Sequence, residues 1–230
     1  MYWLCKIIGT IPLFIYFRPK IKGLMSVPKA PLIFASNHLS VLDSFVLPLV
    51  YYRKIYFIGK MEYFNGKGFS GWFKKFFFTS VGVTPVNREG GSKAQGALER
   101  GFEILQSKKP FGIYPEGTRS PDGRLYKGHT GVARVAFRAN VPVVPVAMIN
   151  MRKIQLPGQY FPRPHRPGVT FCEAIYPAKY VPDEDLESFN KGTYEPTREI
   201  LRQMTDDIME SIQKASGQTY ISDHYAKEFK

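Results

Sequence analysis

Two short stretches hold residues whose types and spacing suit chemistry. In Asn37-His38-Leu39-Ser40-Val41-Leu42-Asp43 an imidazole precedes a carboxylate by five positions. Residues five apart do not share a face of a regular helix, where neighbours are three or four apart. The two side chains meet only if His38 lies in a turn ahead of a helix, from which its ring can reach the Asp43 carboxylate. That carboxylate would fix the tautomer and steady the imidazolium formed when a proton is taken, which makes His38 a candidate general base. The same stretch also has a purely structural reading, because Ser40 and Asp43 form an S-x-x-D capping box that starts a helix.

The second stretch is Tyr114-Pro115-Glu116-Gly117-Thr118-Arg119, followed by the turn sequence Pro121-Asp122-Gly123. Arg119 can grip a phosphate with a bidentate fork, and Gly117 lets backbone amides approach it. Arg88, closing Gly82-Val83-Thr84-Pro85-Val86-Asn87-Arg88, can supply a second fork and Lys60 a third cation. Taken singly, such cations are also ordinary surface charges at loop ends.

These residues need elements to position them. Pro31 to Ser36 reads as a short buried strand and Ser40 to Val50 as the helix after it, a strand-turn-helix unit with His38 in the turn. Further strands are predicted at Ile55 to Ile58, Val81 to Val86, Phe111 to Tyr114, Val141 to Met148 and Gly168 to Ala174. Pro142 and Pro145 mark the fifth of these six as an edge or bulged strand. Helices are predicted at Ser92 to Gln106 and Gly131 to Ala139. A last one is opened by Pro196, with Ile200, Met204, Ile208 and Ile212 on its core face and Gly217 as its stop. Strands alternating with helices give an α/β fold, a mostly parallel or mixed central sheet flanked by helices. Ligands in such folds collect at the carboxyl ends of strands, where both stretches fall.

At 230 residues the chain suits one domain with a substantial core. With 44% hydrophobic, 15% aromatic and 22% charged residues it is ordered and globular. Its formal charge of +13 attracts polyanions, of which nucleic acid and anionic lipid both qualify. Cys5 and Cys172 form no disulfide framework, which suits a reducing compartment, and no histidine or cysteine spacing predicts a metal site.

The apolar stretch Ile7 to Phe17 is too short to span a bilayer and contains Pro12. Trp3, Phe14, Tyr16 and Phe17, followed by Arg18, Lys20 and Lys22, have the pattern of an interfacial anchor, though a core helix would have a similar composition. A second aromatic and basic run, Trp72 to Phe78, favours a membrane-facing side. Nucleic-acid binders usually spread their aromatics singly for base stacking, so the expected partner is an anionic membrane surface and not nucleic acid. Residues 1–25 are assigned as the interfacial segment and 26–230 as the catalytic domain. Gly66-Lys67-Gly68-Phe69-Ser70-Gly71 fits G-x-G-x-x-G without the tight strand and helix of a dinucleotide site, and G-x-S-x-G is absent.

With these residues in view, the chain resembles the glycerolipid acyltransferase superfamily. Asn37 to Asp43 looks like its H-x4-D signature, Gly82 to Arg88 like its second motif, Tyr114 to Arg119 like its E-G-T-R motif and Val141 to Val146 like its fourth motif, in family order. The likeness is greatest to bacterial 1-acylglycerol-3-phosphate acyltransferases. The resemblance implies a glycerol-3-phosphate acyltransferase-like fold and direct acyl transfer from acyl-CoA or acyl carrier protein, without a cofactor, to the sn-2 hydroxyl of lysophosphatidic acid. His38 would be the base, held by Asp43, while Arg88, Glu116, Gly117 and Arg119, with Lys60, would bind the glycerol phosphate. The location it implies is the cytoplasmic face of the membrane, held peripherally or monotopically. Tyr114 stands where the family usually has Phe, and the N-terminus is short. Transfer to another glycerolipid acceptor, and a non-catalytic basic module for lipid or nucleic acid, are the competing readings.

Overall fold

The computed structural model describes residues 6, 8, 10–11, 13–29, 31–60, 83–86, 93–156, 159 and 161–225. Its strands are β1 (Lys20–Lys22), β2 (Ile33–Ser36), β3 (Tyr56–Lys60), β4 (Val83–Val86), β5 (Phe111–Ile113), β6 (Leu125–Tyr126), β7 (Val143–Ile149), β8 (Gly168–Phe171) and β9 (Tyr220–Ile221). The longer helices are α1 (Asp43–Val50), α2 (Lys93–Gln106), α3 (Gly131–Ala139) and α4 (Arg198–Ser216).

Seven strands form one sheet in the order β1-β8-β7-β2-β5-β3-β4, and β6 and β9 form a small second one. Pairing in the large sheet is parallel except between β7 and β8. The mixed α/β sheet expected from the sequence is therefore present.

The central strands are apolar along their length because both sheet faces are covered. Ile33 and Ala35 of β2 enter one core with residues of α2, α3 and α4, while Leu32 and Phe34 enter the other with Val46, Leu47 and Val50 of α1. The chain leaving β2 turns through α1 toward β3, whereas the chain leaving β5 continues to β7 on the far side of β2. Neighbouring parallel strands whose connections diverge leave a crevice at their carboxyl ends. The His38 and Glu116 loops enter this crevice.

Of the two expectations for the strand with Pro142 and Pro145, edge or bulged, the structure bears out the second. β7 is no edge: it lies between β2 and β8, and Val143 to Met148 are buried. The chain tolerates Pro145 there because the β8 side is bulged opposite it. The register shifts by one residue between the Val146↔Phe171 pair and the Val143↔Ile175 bridge, so a missing ladder hydrogen bond costs little. The final helix starts at Arg198, capped by the Thr197 hydroxyl accepting from the Ile200 N–H at 3.3 Å, with Pro196 just outside. Gly217, at φ 70°, takes the left-handed conformation that ends it.

Lys20–Lys22, grouped by the sequence with the N-terminal segment, forms the sheet edge beside β8. Phe17, Ile21 and Leu24 pack on the α1 side of the sheet, while Ile8, Ile11, Phe14, Ile15 and Tyr16 are exposed. No helix among the described residues is long and apolar enough to cross a membrane. The Trp72 to Phe78 run and the glycine-rich segment before it lie outside the described residues.

Candidate active site

His38 lies in the turn between β2 and α1, and its Nδ1 is 3.0 Å from Asp43 Oδ2. Asp43 is the first residue of α1 and is wholly buried. Its Oδ2 also accepts the backbone N–H of Leu39 at 2.5 Å and of Ser40 at 2.8 Å. The bond to Ser40 is one half of a capping box. The other half is replaced, since Ser40 Oγ accepts from Leu42 N–H at 3.2 Å while the Asp43 N–H goes to the Ser40 carbonyl. The capping and catalytic readings of this stretch thus coexist in one carboxylate oxygen. With Nδ1–H donating to it, Nε2 retains its lone pair and can accept a proton. The His38 side chain is 16% exposed.

Asp43 fixes the rotation of the imidazole in its own plane; the plane itself is set by Tyr114. The two rings stack with centroids 3.9 Å apart and planes within 10°. The Tyr114 hydroxyl lies 2.9 Å from Ser44 Oγ, one residue beyond Asp43, and the Phe57 ring also stacks with that of Tyr114, centroids 5.6 Å apart. Burial, followed by the Asp43 charge, pushes the Tyr114 hydroxyl well above its ordinary range, so it stays protonated. Sequence reading gave Tyr114 no part in the site. Its stack with His38 spans 76 positions, and only its place beside the E-G-T-R stretch could have hinted at it.

The second stretch folds as a turn in which Gly117 N–H donates to the Tyr114 carbonyl at 2.9 Å. Gly117 has φ 71°, a conformation that a side chain makes costly, and a Cβ there would stand 3.3 Å from His129 Cδ2. Glu116 is buried, and both of its oxygens are engaged. Oε1 accepts the His38 N–H at 3.1 Å and Oε2 the Tyr126 N–H at 3.1 Å. Burial pushes its carboxyl up to about 7, while these two N–H donors hold it down. Ser120 N–H adds a bond to the His38 carbonyl at 2.8 Å. Glu116 therefore fastens the histidine loop to the loop after β5. Arg119, between the two fastening points, is exposed and has no ion-pair partner among the described residues.

Asn37 is a further residue that the sequence named without a role. Its side chain is wholly buried, donates to the Met148 carbonyl at 2.9 Å and accepts the Met148 N–H at 2.7 Å. It also donates to Gln218 Oε1 at 2.5 Å, and Gln218 Nε2 donates to the Gly123 carbonyl at 2.7 Å. β7, the end of α4 and the loop after β5 thus converge behind His38. Cys172 is not poised as a nucleophile, since burial pushes its thiol up to about 11.

The structure brings His38, Asp43, Glu116 and Gly117 together, with Arg119 beside them. Lys60 ends β3, opposite Val86 of β4. Its side chain, and the whole of Arg88, lie outside the described residues.

A family model described as acyltransferase matches residues 18–149. The chain is 31% identical over 159 residues to a chloroplastic 1-acyl-sn-glycerol-3-phosphate acyltransferase of Arabidopsis thaliana, covering 68% of this chain and 43% of that one. It is 30% identical to a chloroplastic counterpart from Brassica napus (68% and 44% covered) and 27% identical to a 1-acyl-sn-glycerol-3-phosphate acyltransferase of Pseudomonas aeruginosa (70% and 56%). The chain thus matches less than half the length of the two plant relatives. The crystal structure of a 1-acyl-sn-glycerophosphate acyltransferase from Thermotoga maritima shares the fold, with TM-score 0.60, 21% identity, and 87% of this chain and 76% of that one covered.

Proposed function

We propose that this chain, which belongs to the acyltransferase family, transfers a fatty acyl group from an acyl thioester to the sn-2 hydroxyl of 1-acyl-sn-glycerol 3-phosphate, giving phosphatidic acid. The observation that carries this reading is the His38–Asp43 pair, set at the carboxyl ends of adjacent parallel strands. In the proposed reaction Nε2 takes the proton of the acceptor hydroxyl as its oxygen attacks the thioester carbonyl. The C–S bond breaks, and the thiolate recovers that proton from the imidazolium. Asp43 steadies the imidazolium between these two transfers.

Arg119 takes the acceptor phosphate, with Gly117 admitting it to the backbone; Arg88 and Lys60 are assigned the same ligand. Glu116 serves the glycerol phosphate by holding the two loops in register. The exposed Ile8, Ile11, Phe14 and Ile15, with Arg18, Lys20 and Lys22 nearby, meet the cytoplasmic face of an anionic membrane, from which the acceptor is drawn. This favours lipid over nucleic acid as the polyanion matched by the +13 charge.

The assignment is tested by Arg119→Ala. Loss of a charge-assisted phosphate contact, worth ~1.5–3 kcal/mol, should raise KM for lysophosphatidic acid by roughly 10–100-fold and leave KM for the thioester nearly unchanged. Equal losses for both substrates would contradict the role given to Arg119.

A further inference from the structure

On the α3 and α4 side of the sheet, a cavity of about 610 Å³ is lined by Lys127, Arg134, Arg198, Arg202 and His224, with Glu199 as its one lining carboxylate. Its charge is poorly balanced. Some exposed cations elsewhere pair with nearby carboxylates, as in Arg124–Asp122, Arg138–Glu99, Lys191–Glu187 and Lys214–Glu210. Among the described residues Lys127, Arg134 and Arg198 form no such ion pair, and Arg202 has Asp206. Gathering unmatched cations around a concave site costs free energy that a bound polyanion recovers. His224 stacks face to face on His129, centroids 4.3 Å apart and planes within 2°. Burial, then the charges of His224 and Arg202, hold the His129 imidazole below its ordinary pKa. The cavity is an open depression, wide enough to take the charged head of a small molecule.

Two further observations connect this cavity to the chemistry. His129 borders both regions, with its N–H bonded to the Pro115 carbonyl and its ring against Gly117. The cavity also lies across the sheet from the exposed apolar N-terminal residues. Val132 of α3 and Leu201 of α4 belong to one core, while Phe17, Ile21 and Leu24 belong to the other. A lipid acceptor entering from the apolar side leaves this basic side facing water, where a soluble donor arrives.

We infer that the cavity binds the phosphate-bearing nucleotide of a coenzyme A thioester, holding the donor's head while its acyl end reaches His38. This rests on the acyl-transfer reading above, and its test separates the two. Adenosine 3′,5′-bisphosphate serves as a probe that needs no turnover; its affinity is measured by calorimetry for the wild type and for an Arg134→Glu/Arg198→Glu variant. Both residues are exposed, so the fold, checked by circular dichroism, should survive. In parallel, KM is measured for palmitoyl-CoA, palmitoyl-acyl carrier protein and lysophosphatidic acid.

Reversing two charges should weaken probe binding and raise KM for palmitoyl-CoA by at least about 10-fold, with KM for lysophosphatidic acid unchanged. Unaltered probe affinity, or probe binding only at concentrations where inorganic phosphate binds equally well, would overturn the inference even in an active enzyme. A rise in KM confined to the acyl carrier protein donor would also overturn it, in favour of a protein carrier. An enzyme with no acyl transfer whose probe binding still depends on Arg134 and Arg198 would refute the reaction but keep the site.

Discussion

At the residue scale, two constraints act on one imidazole. The Asp43 carboxylate holds its Nδ1 edge, and the Tyr114 face fixes its plane through a stack at 3.9 Å. Removing the ring by His38→Ala should lower kcat by roughly 10²–10⁴-fold or more, as expected for a general base. Tyr114→Leu keeps the base but frees its plane, so kcat should fall about 10-fold with both KM values little changed, since misorientation acts on the transition state. Tyr114→Phe retains the stack and should recover most of that loss. Equal kcat in the Leu and Phe variants would show that the stack does not position His38. The His38–Asp43 pairing was legible because a five-residue spacing places the histidine before the helix. Tyr114, Asn37 and Gln218 were not, because their partners lie 76 to 181 positions away and no local pattern encodes those distances.

At the element scale, the loops after β2 and β5 act as one unit because Glu116 accepts N–H bonds from His38 and Tyr126. Its buried carboxyl is raised from an ordinary 4.5 to about 7. Between those values the folded chain holds a proton that the unfolded chain has released, so stability falls as pH rises across that window. Glu116→Gln should abolish this slope, worth about 3 kcal/mol over the window, in urea unfolding measured from pH 4.5 to 7.5. A slope that persists in the variant would assign it to another group. Gly117→Ala, at φ 71° and against His129, should cost about 1–2 kcal/mol and loosen the same turn. Six of the nine described strands and the four longer helices were readable from apolar runs and periodicity, whereas β1, β6 and β9 are two or three residues long and carry no pattern of their own. The prolines of β7 signal a missing donor without saying whether the strand is an edge or bulged, and here the bulge opposite Pro145 absorbs the loss.

At the scale of the molecule, the two sides of the sheet differ in character. One carries the exposed apolar N-terminal residues, with Ile15 72% exposed, and the other a basic cavity between α3 and α4. The total charge was evident in the sequence; its division between the two sides of the sheet depends on which helices cover which sheet face. Phe14→Ser/Ile15→Ser should weaken binding to anionic vesicles about 10-fold, because each apolar side chain loses part of the ~1.5–3 kcal/mol of full burial. Unchanged vesicle sedimentation would place the membrane contact elsewhere. The most direct test of acyl transfer by His38 is thiol release from palmitoyl-CoA by the purified protein, with and without lysophosphatidic acid, alongside His38→Ala and with the lipid product tracked. Thiol release should require the acceptor, match phosphatidic acid formed mole for mole and disappear in the variant. Acceptor-dependent phosphatidic acid formation at an undiminished rate in His38→Ala would contradict acyl transfer by His38.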